Sequence, residues 1–272
     1  MNKWGIMQGR FTDKSGFYPQ QFPSGNWERE FDVASQQKIQ YIEWMFNFDN
    51  YENNPLWSRS GREEIKRISA QAGISVVSVC ANYFMRQGFF KSTASGRARS
   101  LDIYRHLLEA VNDVGAQILV LPLFDDNNPA EKDMEQFYES LMQMADMAEE
   151  KHVRLALEAD FSADKYMEIL SVISSSALGV CYDLGNAAGL GRNIEQELEI
   201  LHDVIFNVHI KDKPKYGATV MLGEGAVNFA KVFPALLKYH YSGPYILESY
   251  YEKNAVEDTK KNLAFVRNCC KV

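Results

Sequence analysis

The sequence predicts a single-domain (β/α)8 TIM barrel covering residues 1–272. Three observations predict it. Short apolar runs alternate with longer amphipathic stretches from end to end, which is the pattern of repeated βα units. Several of the runs are rich in Val and Ile without in/out alternation, as in strands covered on both faces. No phosphate loop of the open, doubly wound kind follows the first run, because Trp4-Gly5-Ile6-Met7-Gln8-Gly9-Arg10 offers two glycines and no G-x-G-x-x-G. Eight parallel strands joined by right-handed crossovers close on themselves and leave no sheet edge.

Taken in order, strands are expected at 4–7, 41–45, 75–81, 117–121, 153–158, 178–183, 205–209 and 245–248. The first is followed by a long connection, residues 8–26, which holds Gly16, Pro19, Pro23 and Gly25 and reads as a lid. Helical periodicity is plainest at 100–114, through Leu101, Tyr104, Leu107, Leu108 and Val111, and at 134–151, through Phe137, Leu141, Met144 and Ala148. Gly73 and Gly115 fall where a helix ends on a left-handed residue. The second and third loops carry Trp44, Phe46, Phe48, Tyr83, Phe84, Phe89 and Phe90, expected to wall a site or stack on a sugar, or else to cover the barrel mouth or a subunit contact.

Composition narrows the function. A net charge of −7 and a pI near 5.4 argue against a nucleic-acid partner. No run approaches a membrane span, and the N-terminus has no apolar leader core, so a cytoplasmic protein is expected. The four cysteines show no paired framework and no C-x-x-C, which fits reduced thiols and speaks against a cysteine-built zinc site.

Four apolar runs end on residues that carry chemistry: Glu158, Asp183, His209 and Glu248. Each has an ordinary explanation, such as a helix cap for Asp183 or an ion pair for a glutamate. All four at the same end of their strands is a different matter, because buried carboxylates repel unless a cation sits among them. The other histidines, His106, His152, His202 and His240, fall in helical patterns, away from that end. Three carboxylates and an imidazole make a mostly hard-oxygen site, for which Mn²⁺ is the first choice and Mg²⁺, Co²⁺ and Zn²⁺ are alternatives. A sugar bearing adjacent carbonyl and hydroxyl oxygens is a natural chelator of such an ion. Glu158 and Glu248, on strands three apart, are then placed to remove and return a proton on opposite faces of one carbon.

These residues resemble a known family. With Tyr182-Asp183-Leu184-Gly185-Asn186, Val208-His209-Ile210-Lys211-Asp212, the Gly223–Phe229 segment and Gly243-Pro244-Tyr245-Ile246-Leu247-Glu248, they are similar to the sugar-phosphate isomerase/epimerase group of xylose-isomerase-like TIM barrels. The pattern looks most like that of ketopentose-phosphate 3-epimerases. The resemblance implies that both glutamates touch the metal and shuttle the proton, and that the chain forms a homodimer or homotetramer. Glu43 matches a glutamate common at the second strand end, expected to touch the substrate or to support a metal ligand from behind, or else to form a structural ion pair. Asn186 stands where many members have histidine and still permits a hydrogen bond to a substrate hydroxyl. Substrate contacts are expected from Arg10, Glu43, Asn82, Asn186, Lys211, Asp212, Lys215 and Glu224.

Lys211, Lys213 and Lys215 lie where barrel phosphates usually bind, or else form a solvated basic loop. The leading expectation is a metal-dependent sugar or sugar-phosphate epimerase or isomerase. The alternatives are a lyase of the keto-inositol dehydratase type on the same metal, and a non-catalytic binding barrel. A DNA-repair endonuclease needs several strand-end histidines and a basic face, neither of which this sequence offers.

Overall fold

The computed structural model describes residues 4–13, 21–90 and 92–270. Its centre is a closed parallel barrel with strands in sequence order, β1 pairing with both β2 and β8. The strands are β1 (Trp4–Met7), β2 (Tyr41–Met45), β3 (Ser75–Cys80), β4 (Ile118–Pro122), β5 (Arg154–Glu158), β6 (Leu178–Asp183), β7 (Ile205–Ile210) and β8 (Tyr245–Leu247). Each expected strand is present, with ends shifted by one residue at most.

The helices are α1 (Trp27–Gln36), α2 (Arg59–Ala72), α3 (Tyr83–Arg86), α4 (Ala94–Asp113), α5 (Met134–Glu150), α6 (Ala163–Ile173), α7 (Leu184–Gly189), α8 (Ile194–Leu201), α9 (Phe229–Lys238) and α10 (Ala255–Cys269). α4 starts six residues before the expected 100, because its start is set by capping rather than by apolar spacing: the Thr93 hydroxyl accepts from Gly96 N at 3.2 Å. Gly73 and Gly115 adopt φ of +68° and +78°, the left-handed turn that ends α2 and follows α4.

Two layers of core form. Met7, Met45, Cys80, Ile118, Val120, Ala156, Cys181 and Ile246 fill the barrel interior, while a much larger set packs strands against helices. Strand residues alternate between the two, so a residue two past an interior one also points inward. That rule carries the chain from Ala156 to Glu158, from Cys181 to Asp183 and from Ile246 to Glu248, each step climbing one layer toward the C-terminal mouth.

The same alternation corrects the expectation for the aromatic residues. Glu43 points inward, so its neighbour Trp44 points outward into the helical layer, where it meets Trp27 and Phe31. Trp44, Phe46, Tyr83, Phe84, Phe89 and Phe90 are all buried core, and only Phe48 is half-buried. Burying each ring contributes on the order of 2–3 kcal/mol. None of the seven lines the cavity above the strand ends, although Phe48 lines an adjoining one that shares Asn82 and Met85 with it. Of the expected lid, Gly16 and Pro19 lie outside the described residues. Among the described residues, no helix is long and apolar enough to cross a membrane.

Candidate metal centre

The four strand ends meet. One ligand atom from each of Glu158, Asp183, His209 and Glu248 lies within 4.8 Å of the other three, and all four residues are buried. Ligands on opposite sides of one cation, each roughly 2.0–2.6 Å from it, stand about 4–5 Å apart. Sheet register produces this closeness, because Asp183 pairs directly with His209 and His209 with Ile246, two residues before Glu248.

His209 is held from both sides. Its Nε2 lies 2.8 Å from Glu43 Oε1, and Nδ1 lies 3.0 Å from Glu248 Oε2 and 3.7 Å from Glu158 Oε1. Glu43 is fixed in turn through Oε2, which accepts from Ser78 Oγ and Asn207 Nδ2, both at 2.7 Å. His209 Nδ1 is fully buried, aimed at two glutamates, and makes no hydrogen bond. A buried ring nitrogen among carboxylate oxygens, able to offer its lone pair once the ring is neutral, is what a divalent cation requires.

Lys211 brings a positive charge into the same cluster. Its Nζ donates to Asp183 Oδ2 at 2.9 Å and to Glu248 Oε1 at 2.6 Å, and Arg10 Nη2 lies 3.7 Å from Glu248 Oε1. Gly185 makes room for it, since a Cβ there would stand 2.6 Å from Lys211 Cγ. With carboxylates ionised and His209 neutral, Glu43, Glu158, Asp183 and Glu248 face two cations, leaving two negative charges uncompensated. That deficit shows in the titration of His209. Burial opposes its charge, but Cys181, Glu43 and Glu158 outweigh burial and lift its pKa well above the ordinary imidazole value. A divalent cation would offset the same deficit.

The two glutamates differ. Burial raises the pKa of Glu158, with His209 pulling the other way. Burial also works against the charge on Glu248, but Lys211, His209 and Arg10 overcome it and hold that carboxyl well below the usual range. Burial opposes the charge on Lys211 too, and Asp183, Glu248 and Glu158 keep it protonated.

A cavity of about 220 Å³ opens above the cluster. Glu158, Glu248, Lys211, Asn82 and Asn186 line it, as the sequence suggests for this end of the barrel. Asp183 doubles as the cap of α7, its Oδ1 accepting from Asn186 N at 2.9 Å, which sets Asn186 on the rim. A larger cavity, about 970 Å³, lies at the opposite end against Gln117, Arg154, His202 and His240, and none of the four metal-ligand candidates reaches it.

Other expected substrate contacts stand elsewhere. Glu43 is fully buried behind His209, off the cavity wall, in the supporting place that was the other expectation for it. Asp212 is also fully buried, its carboxylate accepting from the N–H groups of Gly223, Gly225 and Val227 at 2.9–3.1 Å, which folds the Gly-rich loop around it. Glu224 and Lys215 are exposed and off the cavity wall, with Lys215 over the Tyr216 ring. Arg10 is buried against Glu248 instead of lining the cavity.

Several participants escaped the sequence. Phe124 and Asp160 line the cavity from loops just past strand ends, beside Lys213 of the basic run already singled out. Asn207 and Ser78 were detectable as polar residues in apolar strands, Asn207 two positions before His209 and therefore on its face. Cys181 belongs with Glu158 and His209 to an overlapping set of candidate ligand atoms, a closeness that spacing alone did not reveal; burial pushes its thiol up.

A family described as "Xylose isomerase-like TIM barrel" matches residues 31–269. L-ribulose-5-phosphate 3-epimerase UlaE of Escherichia coli (strain K12) is 26% identical over 269 residues, covering 94% of this chain and 93% of that protein. Among solved structures, D-psicose 3-epimerase with D-tagatose from Clostridium cellulolyticum H10 superposes with a TM-score of 0.78 at 14% identity, covering 99% of this chain and 100% of that one. The IOLI protein with a bound zinc atom gives 0.78 at 17% identity, covering 99% and 100%.

Proposed function

The chain belongs to the xylose isomerase-like TIM barrel family, and on that premise we propose that it is a divalent-metal-dependent ketose epimerase. The reading is carried by one observation: Glu158, Asp183, His209 and Glu248 converge, with the buried Nδ1 of His209 turned toward both glutamates. The epimerase names of its relatives support the reaction type. Glu158, Asp183, His209 and Glu248 would hold the ion, Mn²⁺ by the hardness of three carboxylates. When bound, it supplies Lewis acidity at the ketose carbonyl, easing loss of the neighbouring proton.

The rest falls to the protein. Glu158 and Glu248 approach from β5 and β8, so one faces each side of a sugar lying across the mouth. Glu248, held ionised beside Lys211, is the carboxylate that takes the proton. Glu158, whose protonated form burial favours, gives up its own proton on the other face of the carbon and inverts it, and the two carboxyls end with their protonation states exchanged. Asn82 and Asn186 on the rim orient the sugar hydroxyls. Incubation of ketoses with the Mn²⁺-loaded protein in D₂O, followed by NMR, tests this. Deuterium at the carbon beside the carbonyl, with the formula retained, is expected. Loss of water instead would make the chain a lyase.

A further inference from the structure

The inward face of β6 carries two metal-ligating side chains, Asp183 at the mouth and Cys181 two residues deeper. Cys181 is buried and has no part in the chemistry proposed above. One ligand atom from each of Glu158, Cys181 and His209 lies within 4.8 Å of the other two, and this set overlaps the four-residue one only at Glu158 and His209. A buried thiol in such a layer can serve as a small apolar filler and no more. Two observations set this one apart.

The first concerns His209. Its Nδ1 is fully buried, makes no hydrogen bond and lies 3.7 Å from Glu158 Oε1, so the same nitrogen and carboxylate serve an ion at either level. The second concerns Lys211, whose ammonium donates to Asp183 and Glu248, the two carboxylates that the deeper set lacks. An ion on Glu158, Cys181 and His209 leaves that pairing intact, whereas an ion on the upper set shares both carboxylates with the ammonium. A carboxylate, a thiolate and a neutral imidazole also balance a divalent charge. At the bond lengths of zinc, tetrahedral sulfur, nitrogen and oxygen ligands stand roughly 3.3–3.6 Å apart. That separation falls inside the 4.8 Å limit of this set.

We propose that the barrel has a second, deeper cation position on Glu158, Cys181 and His209, suited to thiophilic divalent ions of the zinc class, while hard ions such as Mn²⁺ take the four-residue set. The thiol proton leaves to solvent as the ion takes its place. Because both positions use Glu158 and His209, one ion excludes the other. The metal that fills the barrel therefore decides whether Asp183 and Glu248 are engaged.

X-ray absorption at the zinc edge tests this on Zn²⁺-loaded wild type, Cys181→Ala and Cys80→Ala. Cys80 is the control, an interior thiol whose Sγ donates to Asn82 Oδ1 at 3.1 Å and which belongs to neither set. Wild type and Cys80→Ala should each show one sulfur at about 2.3 Å from zinc, and Cys181→Ala only nitrogen and oxygen. Even the outer partners of metal ligands are worth about 10- to 100-fold in affinity, so Cys181→Ala should weaken Zn²⁺ binding at least about 10-fold and Mn²⁺ binding less than about 3-fold, read by competition with a chelator. No sulfur around zinc in wild type, a result that needs no variant to fold, would overturn the deeper position. So would a sulfur that persists in Cys181→Ala, or equal weakening of the two metals. Mn²⁺ binding by wild type separates this claim from the four-residue centre. Mn²⁺ bound, with zinc free of sulfur, removes the deeper position alone; binding of neither metal removes both.

Discussion

His209 and Glu43 face each other inside the barrel, Nε2 to Oε1 at 2.8 Å, with neither side chain exposed to solvent. A carboxylate on the far nitrogen of a metal-binding imidazole fixes the ring and the position of its proton. Glu43→Gln keeps the shape and removes the charge. It is expected to weaken Mn²⁺ binding about 10- to 100-fold, read by competition with a chelator. Ser78→Ala, which removes one of the donors to Glu43, should weaken it less.

Glu158→Gln and Glu248→Gln should each reduce kcat by roughly 10²–10⁴-fold with substrate saturating. Because both side chains are also ligand candidates, bound metal is measured in the same samples. A variant that retains metal and full turnover would remove that glutamate from proton transfer.

Metal should displace a proton. The surrounding carboxylates hold His209 protonated in the metal-free protein at neutral pH, since its pKa lies well above the ordinary value. Binding at Nδ1 requires the neutral ring, so Mn²⁺ should release about one proton at pH 7 and bind more tightly as pH rises. Calorimetry in buffers of differing ionisation enthalpy counts that proton. A count near zero would contradict a protonated His209 in the metal-free protein.

Glu30 gives a prediction about stability. Its buried carboxylate accepts from Gly9 N, Phe11 N and Thr12 Oγ1, and so ties the segment after β1 to α1. Burial pushes its pKa up to about 7 from an ordinary 4.5, against the pull of those hydrogen bonds. A raised carboxyl pKa means that the folded state binds more protons than the unfolded state between those values. Stability should therefore fall as pH rises from about 4.5 through about 7, by on the order of 3 kcal/mol, and then level off. In urea titrations across that range Glu30→Gln should show a flatter profile than wild type. Parallel profiles would remove Glu30 as the source.

The strands and the four converging residues were legible because both follow from periodicity. Apolar runs mark strands, and a polar residue at the end of such a run lies at the mouth. Facing is lost when the period of two is ignored: Trp44 is expected to wall a site or else to cover the mouth or a subunit contact, although it sits next to the inward-facing Glu43 and so points into the helical layer. Asp212 illustrates a different limit. A carboxylate ahead of Gly223 and Gly225 reads as a ligand contact, yet a Cβ at Gly225 would stand 2.1 Å from Asp212 Oδ1, so the glycine is there to let the loop close on that side chain. Glu30 and Lys213 depend on contacts 18–27 residues away in sequence, which no local pattern encodes.

Crystals grown with Mn²⁺ and measured at a wavelength where manganese scatters anomalously test the central claim most directly. One strong peak is predicted, with oxygens of Glu158, Asp183 and Glu248 and the Nδ1 of His209 all within about 2.0–2.6 Å of it. A peak elsewhere, or one that reaches Cys181 or Lys213 while leaving any of those four residues out, would contradict the account.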